Sequence, residues 1–535
     1  MNKTHSWALI TLGSTLLTSF HASAIEAQPD PDNPGGYILR KADISTAEQS
    51  KTQDPMYQLW SQALATRDNA IVEGIAPDLA SNPDNVKRAE RVFGLIEWQY
   101  LTAMAAPEYT YDRFLKAIGK FPAFCGDYND GRDADAICQR SIITAFAHFA
   151  QETGGHIAKD NSSDNPLGLE EWQQALVHVR EMGWSEGQTG YTTGCGSDDW
   201  QNHRWPCAEG QGYFGRGAKQ LSYHFNYGAF SEVMFDGDAS VLLEQPSLVA
   251  DSWLNLASAI WFFLTPQAPK PAMLHVIDRS WSPSEREIEA GIGYGFGTTI
   301  NIINGGIECG EQNRDKGQPV NRIRYWQGLA SYYGIAMEAD EKDTCWQQTP
   351  YGSLNLNGAT DVLYTNWEGD WQYYPDRPGG HSFECKLVGY QTAYSALTPG
   401  DYEKCLTNFY QSHTNWPEIR VVDEFSTPDE PPADESSWQE NKVYLKDDLV
   451  TYQSKRYRAK WWTKGDLPTS GGPWELIDDS APPEPPTTPP SDTAPWQANK
   501  VYQAGDSAEY QGTIYSAKWW VKGERPDHSD AWQPM

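Results

Sequence analysis

The sequence predicts a multidomain chain, a mostly α-helical unit followed by two small β modules. Three observations predict it. A chain of 535 residues is longer than one compact core usually organises. Apolar residues recur at helical spacing through much of the first two thirds. Near the C-terminus, Trp438, Tyr444, Tyr452, Tyr457, Trp461, Trp462, Pro468 and Trp474 reappear at one constant interval as Trp496, Tyr502, Tyr510, Tyr515, Trp519, Trp520, Pro526 and Trp532. That is a duplicated module. Each copy is short, turn-rich and β-branched or aromatic, as small β modules are. Residues 422–437 and 478–495, rich in Pro and acidic side chains, read as extended linkers ahead of modules at 438–477 and 496–535.

Composition narrows the partners. Aromatic residues make up 13% of the chain, with 23 Trp and 28 Tyr, although mean hydropathy is only -0.64. A polar chain rich in flat rings fits a protein that presents rings to a ligand. The formal charge is -31, from 72 acidic against 41 basic residues. Nucleic acid and anionic membranes are repelled by such a surface, so neither is an expected partner. A monomer is expected.

Residues 1–24 read as a secretory signal. Lys3 and His5 give a basic start, residues 8–17 are largely apolar, and Ala22-Ser23-Ala24 is a small-residue cleavage site. The mature chain is expected to begin near Ile25, outside the cytoplasm, and no other long apolar stretch follows. Eight cysteines fit an oxidising setting. None forms a CxxC pair, which disfavours a zinc ribbon. Local spacing favours Cys125–Cys138, Cys195–Cys207, Cys309–Cys345 and Cys385–Cys405, without fixing that connectivity.

In chain order, residues 25–53 are polar, and Pro29-Asp30-Pro31-Asp32 reads as a flexible leader. Helical spacing over 56–64 and 86–104 marks the rest of an N-terminal extension, residues 25–104. The acidic loop 127–133 resembles a calcium loop, but its glycine falls one place early and no glutamate stands twelfth. Residues 141–151 form an apolar helix with Glu152 at its C-terminal end, stopped by Gly154 and Gly155 in a left-handed turn. That end of the helix dipole is expected to raise the carboxyl pKa. Residues 172–182 read as a second helix with Glu181 near its end. The segment 291–297 is glycine-rich but lacks the G-x-G-x-x-G spacing of a nucleotide loop. Residues 351–421 show no clear periodicity and no assignable role.

Two carboxylates beside loops dense in amides, hydroxyls and rings point to carbohydrate chemistry. Glycoside hydrolysis needs one carboxylic acid to protonate the leaving oxygen and one carboxylate acting from the other side. Glu152 and Glu181 are the natural pair, although two glutamates alone mean little among 72 acidic residues.

The surrounding words are more specific. Phe149-Ala150-Gln151-Glu152-Thr153-Gly154-Gly155-His156, Val179-Arg180-Glu181-Met182-Gly183 and Trp205-Pro206-Cys207 come first. Tyr213-Phe214-Gly215-Arg216-Gly217-Ala218-Lys219-Gln220-Leu221-Ser222 and Ile302-Ile303-Asn304-Gly305-Gly306-Ile307-Glu308-Cys309 follow. In order and spacing these resemble the family 19 glycoside hydrolases, the plant-type chitinases, over roughly residues 109–345. The resemblance implies a two-lobed, lysozyme-like catalytic domain, placed at residues 105–350, with no cofactor and no metal. It implies inversion, with Glu152 as general acid, Glu181 as general base and Ser222 helping to hold the attacking water. Inverting carboxyl pairs stand roughly 6.5–9.5 Å apart to admit that water. Glu308 and Arg322 match a charged network near the acid. Gln220, Asn226, Gln267, Lys270 and Asn304 match substrate-contacting positions, and Trp205 is expected in the cleft. Gln151 departs from the histidine that many plant members carry before the acid.

The repeats resemble carbohydrate-binding families 5 and 12 through Ala459-Lys460-Trp461-Trp462 and Ala517-Lys518-Trp519-Trp520. Exposed rings of Trp461, Trp462, Trp519 and Trp520 are expected to stack on sugar faces, and two linked modules to add avidity for an insoluble polymer. The expectation is a secreted chitinase acting on chitin and its oligosaccharides. Its rivals are a peptidoglycan-cleaving lysin of the same fold and a non-catalytic chitin-binding protein.

Overall fold

The computed structural model describes residues 25–535 apart from 161–162, 414, 426–436, 447, 454, 478–494, 499, 503–504, 512, 519–520, 530 and 535. The signal segment, most of both linkers, and Trp519 and Trp520 therefore lie outside the described residues. The chain divides into two units, residues up to 425 and residues from 426 onward.

The first unit is built around the Ala134–Thr153 helix. Asp133 starts it by accepting hydrogen bonds from the Asp135 and Ala136 N–H groups. Every residue from Ser141 to Ala150 is buried, because this stretch is apolar or small on all sides and must be enclosed by other helices. Gly317–Tyr333 and Asp84–Val92 pack against it. Leu254–Leu264 lies against Tyr111–Lys120 in the same hydrophobic core. The four cysteine pairs favoured by spacing are all bonded.

Three local expectations need correction. Gly154 is extended (φ -76°, ψ 169°) rather than left-handed. A Cβ there would fall 2.1 Å from the Ala150 carbonyl oxygen, so close approach, not turn handedness, requires the glycine. The expected helix over 172–182 is only a 3-10 turn, Glu171–Gln173. Beyond it the backbone is claimed by other segments: His178 N–H donates to Thr153, Glu181 N–H to Gly215, and Val179 accepts from Gly217. Helical periodicity is overridden once those partners satisfy the peptide groups. Nor is the leader flexible. Ala27–Pro29 pairs antiparallel with Tyr37–Arg40, which pairs parallel with Ile419–Val422. Arg420 holds the buried Asp30 carboxylate through Nη2 at 2.6 Å and Nε at 2.9 Å.

The same pairing gives residues 351–421 a place. Ile25, Leu39 and Ile44 share a separate core with Trp367, Cys385, Tyr402 and Leu406. It is framed by the Asp401–Gln411 helix and the strands Asn366–Gly369, Cys385–Val388 and Tyr394–Ser395.

In the second unit, the strand triplet Leu449–Tyr452, Lys455–Ala459 and Trp474–Leu476 forms an antiparallel sheet. The repeat forms its counterpart from Ser507–Tyr510, Thr513–Ala517 and Trp532–Pro534. Tyr444, Tyr457 and Trp474 make the core of the first module, and Tyr502 and Trp532 that of the second. Trp461 and Trp462 stay out of that core, 54% and 61% exposed. The predicted class, a mostly α unit followed by two small β modules, is the one observed.

Candidate active site

Glu152 occupies the last turn of the Ala134–Thr153 helix. Arg322, from the middle of Gly317–Tyr333, donates Nη2–H to its Oε1. The same guanidinium meets Glu308 through Nε at 2.8 Å and Nη2 at 3.0 Å. Asn304 Nδ2 donates to Glu308 Oε1 at 2.8 Å. Asn304 is placed for this by a break in its own helix, at φ -151° and ψ 26°. Arg322 and Glu308 are each 1% exposed, whereas the Glu152 side chain keeps 20% of its surface open. One guanidinium thus serves two carboxyl groups in a sealed wall, and only one of them reaches outward.

The electrostatics overturn the dipole expectation. Burial pushes the Glu152 carboxyl up, but Arg322, Lys219 and His156 together hold it below the ordinary glutamate range. His148, one turn back on the helix, bridges Arg322 Nη1 (3.2 Å) and Thr299 Oγ1 (3.0 Å). Its burial, with Arg322 and Lys219 nearby, keeps that imidazole neutral.

Glu181 sits on irregular backbone rather than a helix. Its Oε1 accepts from Tyr191 Oη at 2.5 Å and its Oε2 from the Gly215 N–H at 3.0 Å. The bond to Glu181 pushes the Tyr191 phenol up to about 12. A Cβ on Gly215 would lie 2.7 Å from Gln220 Oε1 and 3.3 Å from Glu181 Oε2, so the glycine lets the loop close on the carboxylate. Arg216, 1% exposed, secures that loop by donating to the Gly212 carbonyl, the Tyr227 hydroxyl and Glu186.

Ser222 donates its hydroxyl proton to the Gln220 carbonyl at 3.0 Å. Its lone pairs are left to accept from a water. Gln220 Nε2 donates to Gly217, and Asn226 Nδ2 to Ser222, both through carbonyl oxygens. Gln267 and Lys270 exchange backbone hydrogen bonds across a tight turn, and Lys270 Nζ donates to the Ile302 carbonyl. Trp205 is 8% exposed, and its ring lies against Gly228, where a Cβ would fall 2.4 Å away.

Sequence reasoning missed Tyr191, Gly215, His148 and Lys219. Tyr191 lay in a loop read only as polar, and His148 inside a helix read only as apolar. Among the described residues, one grouping of metal-ligand types occurs, Cys195, Cys207 and His224. Its sulfurs are bonded to each other, and His224 Nδ1 faces the Trp205 carbonyl oxygen.

The profile described as "Chitinase class I" matches residues 95–343, which hold every residue of this site. "Chitinase 12" of Oryza sativa subsp. japonica is 35% identical over 246 residues, 46% of this chain and 67% of the rice protein. "Endochitinase 2" of Solanum tuberosum is 36% identical over 247 residues, 46% of this chain and 68% of the potato protein. The chain belongs to the chitinase class I family, glycoside hydrolase family 19. Chitinase C from Streptomyces griseus HUT6037 aligns over 48% of this chain and 97% of its own, at 21% identity and a TM-score of 0.33. "Carbohydrate-binding module family 5/12" matches residues 437–475 and 495–533, covering both repeats. The strands at 27–29, 37–40 and 419–422, which contribute to the separate core, lie outside residues 95–343, 437–475 and 495–533.

Proposed function

We propose that the chain is a secreted chitinase that hydrolyses β-1,4 bonds between N-acetylglucosamine units with inversion. Glu152 protonates the glycosidic oxygen as the bond to C1 breaks. A water attacks C1 from the opposite face and yields its proton to Glu181, giving the α-anomer. Ser222 steadies that water. The observation that carries this reading is the contrast between the two carboxyl environments. Glu181 has both oxygens held, Oε1 by the Tyr191 hydroxyl and Oε2 by the Gly215 N–H, which fixes the carboxylate where a base would stand. Glu152 is anchored on one oxygen by Arg322 and remains partly open. Its carboxyl sits low in the free site, so it takes up a proton as the sugar chain enters and strips water from it. Gln220, Asn226, Asn304, Gln267 and Lys270 line the sugar path in this reading. Four bonded cysteine pairs suit an oxidising compartment.

The modules hold the enzyme on the polymer. Trp461 and Trp462 present exposed rings, with Lys460 Nζ 4.9 Å from the Trp461 ring centre. Trp461→Ala with Trp462→Ala should weaken binding to insoluble chitin about three- to tenfold. Turnover of soluble chitohexaose should stay at the wild-type rate. Both are read by a pull-down on chitin powder and by chromatography of the oligomer products. Cleavage of purified peptidoglycan but not chitohexaose by the wild type would replace the chitinase reading with the cell-wall one.

A further inference from the structure

Lys219 lies in the turn between Gly217 and Gln220, one residue from a proposed sugar contact. The main chain on either side of it is held: Ala218 N–H donates to the Asn255 carbonyl at 2.8 Å and Gln220 N–H to the Gly217 carbonyl at 3.0 Å. The side chain lines a small cavity together with Glu152, His148, Phe149, Phe262 and Met273. Its ammonium rests over the Phe262 ring, 4.5 Å from the centre. Among the described residues, no carboxylate comes within 4.0 Å of its Nζ. A lysine packed against an aromatic ring without an ion-pair partner is costly unless a field favours the charge. Here the field is available, because Arg322 is shared between two carboxyl groups.

We propose that Lys219 is a positioning residue that supplies the second positive charge of the acid's pocket and sets when Glu152 gains its proton. This rests on the proposed role of Glu152 as general acid. Every charged or titratable group around that carboxyl enters the balance. Arg322 faces it from Gly317–Tyr333, with Glu308 behind Arg322, and His148 comes from its own helix. His156 comes from the loop that follows, and Lys219 from the turn, with Lys270 beyond it. Arg322 serves Glu308 and Glu152 alike, while Lys219 is left to the pocket. The walls are largely apolar, so the attraction is weakly screened. Burial, and Arg322 beside it, pull the ammonium's own pKa down, while Glu152 and Glu308 support its charge.

The test is the titration of the Glu152 carboxyl carbon by 13C NMR, assigned by the resonance lost in Glu152→Gln. It is run in wild type, Lys219→Met and Lys219→Arg, with kcat/KM pH profiles on chitohexaose alongside. Removing a nearby opposite charge should move the Glu152 midpoint up by about 1 pH unit. The limb of the profile that follows Glu152 should move with it, KM should change little, and Lys219→Arg should restore both. An unmoved midpoint overturns the proposal, as does a rise in KM alone, which would make Lys219 a sugar contact. If Lys219→Met fails to fold, Lys219→Gln carries the same measurement. If the wild type cleaves no chitin oligomer, the assignment of function falls, while the titration still decides whether Lys219 governs Glu152.

Discussion

Glu152→Gln should abolish most turnover, lowering kcat on chitohexaose by about 10²–10⁴-fold, the usual contribution of general acid catalysis. The amide is isosteric, and its oxygen can still accept the Arg322 Nη2–H that holds the carboxylate now. It has no proton to give the leaving oxygen. Binding of chitohexaose, read by calorimetry, should therefore persist within a few-fold while single-turnover cleavage disappears. A variant that loses binding and cleavage together would instead make Glu152 a structural anchor for the Arg322 network.

The largest stability effect is expected from that network. Arg322→Met deletes the cation bonded to Glu308 and Glu152. Glu308, 1% exposed, is left with Asn304 as a hydrogen-bond donor. Removing one partner of a buried ion pair typically costs about 3–5 kcal/mol, so a clear fall in Tm is predicted at pH 7. The pH dependence should change sign. In the wild type, Glu152 is held below its ordinary range, so its contribution is present above the unfolded pKa and is lost as pH falls through the folded one. Without Arg322, the largest influence lowering the Glu152 carboxyl is gone while its burial remains, so that pKa rises. The stability of Arg322→Met should then be greatest at acid pH and fall as pH rises through that raised value. Thermal melts of both proteins from pH 4 to pH 8 read this directly. Parallel curves would show that Arg322 does not neutralise these carboxyl groups.

How far the sequence carries depends on the range of the interaction. The repeat was legible because eight positions recur at one interval, and the structure gives both copies the same strand triplet. The Ala134–Thr153 helix was legible from its apolar run, and Glu152 at its end from the motif around it. The environment of each carboxyl was not. Glu152 meets a guanidinium 170 positions away, and that charge outweighs the helix dipole, which local reasoning saw. Glu181 was placed on a helix because its neighbours have helical spacing, yet Thr153, Gly215 and Gly217 take up that segment's backbone hydrogen bonds. The leader failed for the same reason. Its short strands are stabilised by Ile419–Val422 and Arg420, about 390 residues on.

The proposed reaction is a single displacement between two carboxyl groups, Glu152 giving a proton and Glu181 taking one. The direct measurement is the anomeric form of the first products from chitohexaose, followed by rapid 1H NMR before mutarotation. The α-anomer should appear first with wild type, and both Glu152→Gln and Glu181→Gln should release almost none. An initial β-anomer would contradict the single displacement, whatever the rate of cleavage.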